Sequence, residues 1–388
     1  MKTNILVIIF SLSIYQCVSG QNIEDISERT AILDTAYHDL PILHLNGSPY
    51  ENGFQHGSIM KSRIIELIGL WKKDIEGVYH IPADEFINVF LDSTDYVSTI
   101  VKLNPDLLEE IRGIGKGAGI DFKTIFAFQL LDEIWANAKL LDLPHHCTSV
   151  GVNNYKKDGG PNYIAQTVDI TPFYHGYGIL LDIKDKNTAS RKLIFSFVGF
   201  VGINGLNKNI GIIGNTVLNL KSSLNGVPVC CVVRCVLGKE SFSEAVDFIR
   251  RIKHASGANY IIGSKADLIS LECAEDLVTE YWPDTTRLYT YHANNPLTNT
   301  SYNPAYLTSS RNTHISVHDL RFETMESSII KNKTVDLALI EGVLSKKPIC
   351  NDNTWVSVIM EFGYNHGILR ITPGKPDSTE YIKFVIGE

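Results

Sequence analysis

The sequence predicts an α+β protein in which antiparallel sheets are layered with helices. Three observations lead there. Apolar residues recur at helical spacing from Ser48 to Ala138; short alternating apolar runs take over after Cys147; and strands, then helices, then strands again follow in order toward the end of the chain.

The first helix has the clearest start. Ser48-Pro49-Tyr50-Glu51 sets a capping serine before a first-turn proline, with a glutamate three residues on to close a capping box. Pro82 and Asn104-Pro105 mark two further starts, Gly117 and Gly119 punctuate a stop, and Asp121 is placed to cap a segment from Phe122 to Ala138. Past Cys147 the runs Ser149–Val152, Tyr163–Val168, Gly178–Ile183, Leu193–Val198 and Ile210–Val217 alternate and are separated by Gly, Asn and Asp, which predicts antiparallel strands. Val227–Leu237 and Phe242–Lys253 read as helices, the second opened by the box Ser241-Phe242-Ser243-Glu244. Strands follow at Asn259–Ile262, Leu268–Leu271, Val278–Trp282 and Arg287–His292. A helical stretch from His318 to Leu344 leads to closing strands near Trp355–Glu361, Gly367–Ile371 and Tyr381–Val385.

Composition narrows the class of partner. The 388 residues are 44% hydrophobic and 20% charged, enough for a sizeable core and far from a disordered composition. A formal net charge of -8 without any Lys/Arg cluster leaves no electrostatic footprint for nucleic acid or anionic lipid, so a small molecule is the expected partner. Residues 1–20 carry Lys2, an apolar run from Ile5 to Tyr15, and Val18-Ser19-Gly20, the pattern of a cleavable signal peptide. That run is shorter than the ~20 residues a membrane span needs, and no later stretch is apolar enough. The mature chain is expected to start at Gln21 in the secretory pathway, the extracellular space or an acidic, lysosome-like lumen.

Without Cys17 the chain keeps Cys147, Cys230, Cys231, Cys235, Cys273 and Cys350, an even count that permits disulfides without naming a pairing. Cys230, Cys231 and Cys235 sit in an apolar run where cysteine serves as a small hydrophobe. Asn46, Asn299 and Asn332 each open a glycosylation sequon.

Common catalytic signatures are absent: there is no Gly-Lys-Ser phosphate loop, no Gly-x-Ser-x-Gly elbow and no His-Glu-x-x-His. No cofactor is implied. His145-His146-Cys147 is a poor zinc set, because adjacent residues rarely converge on one tetrahedral ion. Cys147 itself remains, placed where helix gives way to the first strand and followed by Thr148 and Ser149.

Here a resemblance becomes specific. Gly47-Ser48-Pro49-Tyr50-Glu51-Asn52-Gly53-Phe54-Gln55-His56-Gly57 resembles the Gly-Ser-Pro-Tyr-Glu-x-Gly-x-Gln-His-Gly signature of the acyl-coenzyme A:isopenicillin N acyltransferase family, whose members are autoproteolytic N-terminal nucleophile hydrolases. Leu108 to Ile114 with Gly117-Ala118-Gly119 is similar to the family's segment ahead of its cleavage site, and Cys147-Thr148-Ser149 is similar to its nucleophile motif. Gly159-Gly160-Pro161 leading to Gln166-Thr167-Val168-Asp169 resembles its Gly-Gly-x-Pro…Gly-Gln-Asn-x-Asp segment, and Gly226-Val227-Pro228, Arg234 and the box at Ser241 to Ala245 resemble its next helices. The likeness runs from Leu45 to Leu271. Two residues depart from it: His146 stands where relatives often carry glycine, and Thr167 where they commonly carry asparagine.

The resemblance implies an αββα sandwich of two antiparallel sheets between helical layers. It also implies self-cleavage of the His146-Cys147 bond, giving a helix-rich α chain of residues 21–146 and a β chain of residues 147–388 that stay associated. Cys147 is then the nucleophile with its own α-amine as base, an amine of pKa about 7.7 to 8.0 serving a thiol of pKa about 8.5. By the same resemblance Asn259 supplies the oxyanion hole, Asp169 orients the α-amine, and Arg311 fixes a substrate carboxylate or Asp169. On the residues alone Asn259 also reads as a turn opening a strand, Asp169 as a solvated turn and Arg311 as a surface arginine. His56 reads as a buried structural histidine. The expected activity is hydrolysis of linear amides, such as N-acyl amines or amino-acid conjugates, through a thioester. Acyl transfer to an amine, or a non-catalytic binding protein on the same fold, are the alternatives.

Overall fold

Ser48 starts the helical part as its neighbours dictate. In the computed structural model, which describes residues 31–37, 39–137, 147–184, 190–304, 319–332, 334–363 and 366–387, the Ser48 hydroxyl accepts the N–H of Glu51 and the Glu51 carboxylate accepts the N–H of Ser48. Both arms of the box are closed, which satisfies two donors that a helix start otherwise leaves orphaned. The expected signal segment and its Gln21 boundary, His146 and Arg311 all lie outside the described residues.

The helices of the first part are α1 (Pro49–Ile59), α2 (Lys61–Tyr79), α3 (Ala83–Asp92), α4 (Tyr96–Leu103), α5 (Pro105–Ala118), α6 (Phe122–Ala127) and α7 (Leu131–Asn137). The predicted single helix from Phe122 is thus two. Asp121 does cap α6 by accepting the N–H of Thr124 at 3.0 Å. The ladder then tightens to i→i+3 bonds at Gln129 and Leu130. The Gln129 amide, in turn, is fastened to Gly199 and Val201, an attachment across the sequence that local periodicity does not reveal.

The family-like signature has a packing meaning. Helices α1 and α5 cross so closely that a Cβ on Gly53 would lie 1.9 Å from the Glu110 carbonyl oxygen, and one on Gly113 would lie 2.3 Å from that of Tyr50. Only glycine permits the contact. His56 is buried on the same helix and its Nε2 accepts the N–H of Gly199 at 3.0 Å. Burial, followed by the nearby Arg234 charge, holds its pKa down at about 3, so the imidazole is a neutral structural acceptor.

The strands are β1 (Ile32–Asp34), β2 (Ile42–Leu45), β3 (Thr148–Val152), β4 (Asn162–Asp169), β5 (Gly178–Lys184), β6 (Arg191–Phe197), β7 (Asn204–Asn207), β8 (Ile210–Thr216), β9 (Ala258–Ser264), β10 (Leu268–Cys273), β11 (Val278–Glu280), β12 (Tyr289–His292), β13 (Thr354–Phe362), β14 (Gly367–Ile371) and β15 (Ile382–Ile386). Among them run α8 (Asn154–Asp158), α9 (Val229–Val236), α10 (Phe242–Arg251), α11 (Leu320–Ile330) and α12 (Leu337–Leu344). The stretch predicted as helical from His318 to Leu344 is therefore α11 and α12, with its first residue outside the described set.

Two sheets result. A nine-stranded sheet runs β1-β2-β5-β6-β7-β8-β9-β10-β11 and a six-stranded sheet runs β12-β3-β4-β13-β14-β15. Every pairing is antiparallel except β2 with β5, which is parallel over Ile42–Leu45 and Leu180–Ile183. Alternation along β4 explains the layering. Ile164 and Val168 join the core shared with the nine-stranded sheet, whereas Tyr163 and Ala165 join a second core with Met325 and Ile329 of α11 and Ile340 and Leu344 of α12. The helices of the first part, with α9 and α10, cover the other face of the nine-stranded sheet. The architecture is the four-layered α+β sandwich expected.

All six described cysteines are free thiols. Asn299 is 1% exposed and its Nδ2 donates to the carbonyls of Glu272 and Leu277, so that sequon is closed to a glycan in the folded chain, while Asn46 and Asn332 are exposed. Among the described residues no helix is long and apolar enough to cross a membrane.

Candidate active site around Cys147

Cys147 immediately precedes β3, and the alternation of that strand sets its surroundings. Val150 and Val152 turn toward α11 and α12, so Ser149 turns toward the nine-stranded sheet. The Ser149 hydroxyl donates to Asn215 Oδ1 at 2.6 Å, and Asn215 Nδ2 donates to the carbonyl oxygen of Cys147 at 3.0 Å. From the other side Arg321 of α11 donates Nη1 to the same carbonyl at 3.0 Å and to Thr148 Oγ1 at 3.3 Å. Asp319 and the Asn294 side-chain oxygen hold the guanidinium in turn. Thr167, at the position where asparagine was expected, accepts the N–H of Thr148 on its hydroxyl at 3.3 Å. The backbone that follows the thiol is thus gripped from both sheets and one helix.

The thiol is held protonated. Burial pushes its pKa up to about 12, with the Asp169 carboxylate adding to the rise; the Asp169 backbone, the Gln166 side chain and the Arg321 charge oppose it. Asp169 ends β4 and is 2% exposed, with Oδ2 accepting from Asn351 Nδ2 at 2.7 Å. Burial raises its carboxyl pKa to about 6, against the hydrogen bonds from Thr354 and Asn351 and the charge of Arg321. Cys147 and Asp169 line one cavity.

Asn259 lies on β9 directly across from Asn215 on β8, so both side chains face the space between the sheets. Its Oδ1 accepts from Ser270 at 2.9 Å, and its Nδ2 is buried without a hydrogen-bond partner among the described residues. It is not among the residues that line the cavity; Asn215 is.

Arg321 and Asn215 went unmarked in the sequence reading. Asp319-Leu320-Arg321 reads as the first turn of a helix, and nothing local shows that Arg321 reaches a strand 173 residues away. Asn215 falls inside an alternating run that marks it only as strand. Glu272 and His292 were also missed. Both are fully buried, 2.8 Å apart, and Glu272 further accepts the N–H groups of Leu297, Thr298 and Asn299. Burial drives the Glu272 pKa up, yet His292 and these donors more than offset it and hold the carboxyl below its usual range. The pair fastens the loop that carries Asn294 to Arg321.

The cavity beside Cys147 is mainly apolar, walled by Leu131 and Trp135 of α7, Phe197 and Phe200, and Val229 and Val233 of α9. Asp132, Gln166, Thr216 and Tyr260 supply polar groups. An apolar enclosure with a few placed polar groups around one half-buried thiol is a site for a small molecule. Among the described residues no group of three or more His, Cys, Asp or Glu is arranged to hold a metal.

Comparison with known proteins finds distant similarity. Protein dcd1B of Dictyostelium discoideum is 21% identical over 273 residues, covering 64% of this chain and 53% of its own length. An uncharacterized protein of Archaeoglobus fulgidus is 23% identical over 244 residues, covering 57% of this chain and 41% of its own. The chain spans about half the length of the curated relatives it matches. Among solved structures, the Caenorhabditis elegans N-acylethanolamine-hydrolyzing acid amidase ortholog is 18% identical with a TM-score of 0.41, covering 55% of this chain and 92% of that one. Residues 155–338 match the model of the acyl-coenzyme A:6-aminopenicillanic acid acyl-transferase family, the family that the Cys147-Thr148-Ser149 motif, which lies ahead of the matched stretch, resembles.

Proposed function

We propose that the protein is an exported amide hydrolase that acts through Cys147 once the bond before that residue is broken. The observation that carries this reading is the grip on the Cys147 carbonyl by Asn215 and Arg321, each at 3.0 Å, at the mouth of an apolar cavity. A residue about to become a chain terminus needs such an anchor, because it loses its covalent tether on one side and must keep its sulfur in place.

The chemistry proceeds in two stages. In the unbroken chain the Cys147 nitrogen is an amide and offers no base, and a thiol with its pKa pushed up to about 12 stays protonated. Self-cleavage begins when the sulfur adds to the carbonyl of residue 146; the C–N bond breaks, leaving a thioester and a free α-amine. Water then opens the thioester, returning the thiol and a carboxylate at 146. The new amine is a proton acceptor beside the sulfur, and Asp169 orients it in this reading. In turnover the sulfur attacks a substrate amide, the proton passes through the α-amine to the departing amine, and water hydrolyses the acyl-enzyme. Asn259, whose buried Nδ2 has no partner among the described residues, is the oxyanion donor in this reading. Water is the acceptor favoured over a second amine, since an exported enzyme meets little coenzyme A.

Intact-mass analysis and a turnover assay test this together. The purified protein should yield fragments meeting at 146/147 and cleave acyl 4-nitroanilides, and Cys147→Ala should remain one chain without turnover. Amide cleavage by the intact single chain, or by Cys147→Ala, would overturn the assignment.

A further inference from the structure

The two carboxylate oxygens of Asp169 are held differently. Oδ2 accepts from Asn351 Nδ2 at 2.7 Å, whereas Oδ1, on a residue 2% exposed, is buried without a hydrogen-bond partner among the described residues. An open oxygen of this kind costs free energy until a donor reaches it. Asp169 lines the same cavity as Cys147, and an α-amine freed at residue 147 is such a donor.

The Asn351 side chain is itself locked. Its Oδ1 accepts the N–H of Asn353 at 2.9 Å, and Nδ2 donates to the Ile349 carbonyl at 3.3 Å as well as to Asp169. Reversed, the amide would set its oxygen against two acceptors and its NH2 against an N–H, so one orientation survives. The turn around it is closed by the N–H of Asn351, which donates to Thr354 Oγ1 at 2.8 Å. The Asn353 carbonyl accepts the N–H of Ile170, the residue after Asp169, at 3.1 Å, and Thr354 then opens β13 directly across from Asp169. Such a turn needs only the oxygen of Asn351; the donor end goes to Asp169. In the sequence Asn351-Asp352-Asn353 reads as an ordinary loop ahead of a strand, and it lies beyond the stretch that matches the family model.

From the other elements Asp169 is faced by the Cys147 thiol ahead of β3, which its charge reaches, by Arg321 of α11, and by the Thr167 and Thr354 hydroxyls. Behind the turn stand His175, with Nε2 3.2 Å from the Ile170 carbonyl oxygen, and Lys375, 3.8 Å from Asp352. Within this setting a hydrogen bond donated to the carboxylate favours its ionised form.

We propose that Asn351 is a positioning residue for amide hydrolysis, pinning Asp169 Oδ2 so that Oδ1 is presented to the Cys147 α-amine, a role that rests on the reading of Cys147 as a nucleophile freed by cleavage.

The processed full-length protein, its fragments at 146/147 confirmed by mass, is assayed with one acyl 4-nitroanilide from about pH 4 to about pH 9. Asn351→Leu removes the donor at similar volume, and the midpoint of the acidic limb of kcat should rise by about one to two pH units, as loss of a hydrogen bond to a charged group implies. Asn351→Asp keeps the acceptor for Asn353, and so the turn, but sets a second carboxylate against Asp169. Its midpoint should rise further, because two adjacent carboxyls do not both ionise readily. In both variants the loss falls on kcat rather than KM. A merely structural role would lower Tm or the yield of active protein and leave the midpoint where it was; that result overturns the proposal, and Asn351→Asp decides alone should Asn351→Leu not fold. Turnover in the unaltered enzyme with an unmoved midpoint in the variants sinks only the role of Asn351. Processed protein that turns over no anilide at any pH sinks the hydrolase reading and this role with it.

Discussion

Asn215 and Cys147 are joined across the two sheets, the amide Nδ2 of the first donating to the carbonyl oxygen of the second at 3.0 Å. The other end of the same amide accepts from Ser149, so a single side chain on β8 sets the height and the tilt of the strand that begins at the thiol. Arg321 completes the arrangement from the opposite sheet face, and its own hold depends on the loop that Glu272 and His292 fasten. The thiol is positioned by its backbone more than by contacts to its sulfur.

Asn215→Asp separates the two bonds of that amide. The carboxylate still accepts from Ser149 but has no donor for the Cys147 carbonyl. Chain conversion, followed by gel densitometry, should slow by about 100-fold, comparable to losing one well-placed donor. Asn215→Ala, which orphans both partners, should also lower unfolding free energy by about 2 to 3 kcal/mol in denaturant titration.

Arg321→Met keeps the length of the side chain and removes the donors to Cys147, Thr148 and Asn294, stranding the Asp319 carboxylate. Loss of one partner of a buried pair costs about 3 to 5 kcal/mol, and kcat/KM toward any acyl anilide should fall with it. Arg321→Lys should recover part of the stability but little of the rate, because an ammonium cannot span three acceptors in one plane.

Asp169 links stability to acidity. Its folded pKa is raised from the usual carboxylate value to about 6, so the folded chain holds that proton more tightly than the unfolded chain. The associated stability is fully present below the unfolded pKa of about 3.9 and is lost as pH rises through about 6, a swing of about 3 kcal/mol. Asp169→Asn carries no such charge. Its Tm should match the unaltered protein near pH 4 and exceed it near neutrality, while turnover is lost at both; a Tm difference that does not vary with pH would contradict the burial of an ionised Asp169.

Gly53→Ala tests the helix crossing. The added Cβ would meet the Glu110 carbonyl oxygen at 1.9 Å, a backbone atom that cannot step aside without moving α5 and, through the Glu110–Arg234 ion pair, α9 with it. Overpacking of this kind costs about 1 to 3 kcal/mol. Gly69→Ala, with nothing within 4 Å of its Cβ, should be neutral or slightly stabilising in the same melt.

How much of this was legible in the sequence depended on how local each cause is. The Ser48 capping box, the Asp121 cap and most strands after Cys147 follow from neighbours a few residues apart, and they stand where predicted. β7 was missed because Asn204-Gly205-Leu206-Asn207 has no apolar alternation; it is a strand because β6 and β8 flank it and Gly205 lets the Leu193 carbonyl approach. β2 was missed because four residues of Ile42–Leu45 carry too short a period, and its parallel partner lies far along the chain. Cys147 and Asp169 came from the resemblance to a known family, and the structure lines one cavity with both. Arg321 and Asn215 have no such mark, since their importance resides wholly in distant partners.

The parallel pairing of β2 with β5 has a further consequence. Those strands lie on opposite sides of the bond assigned for self-cleavage, and between them stand all of α1 to α7. Severing that bond would leave two polypeptides already zipped edge to edge, with β2 seated between β1 and β5 as an ordinary interior rung. Such a complex is born assembled. Dilution would not dissociate it as it does partners that must meet by collision, and pulling the pieces apart would mean unfolding both.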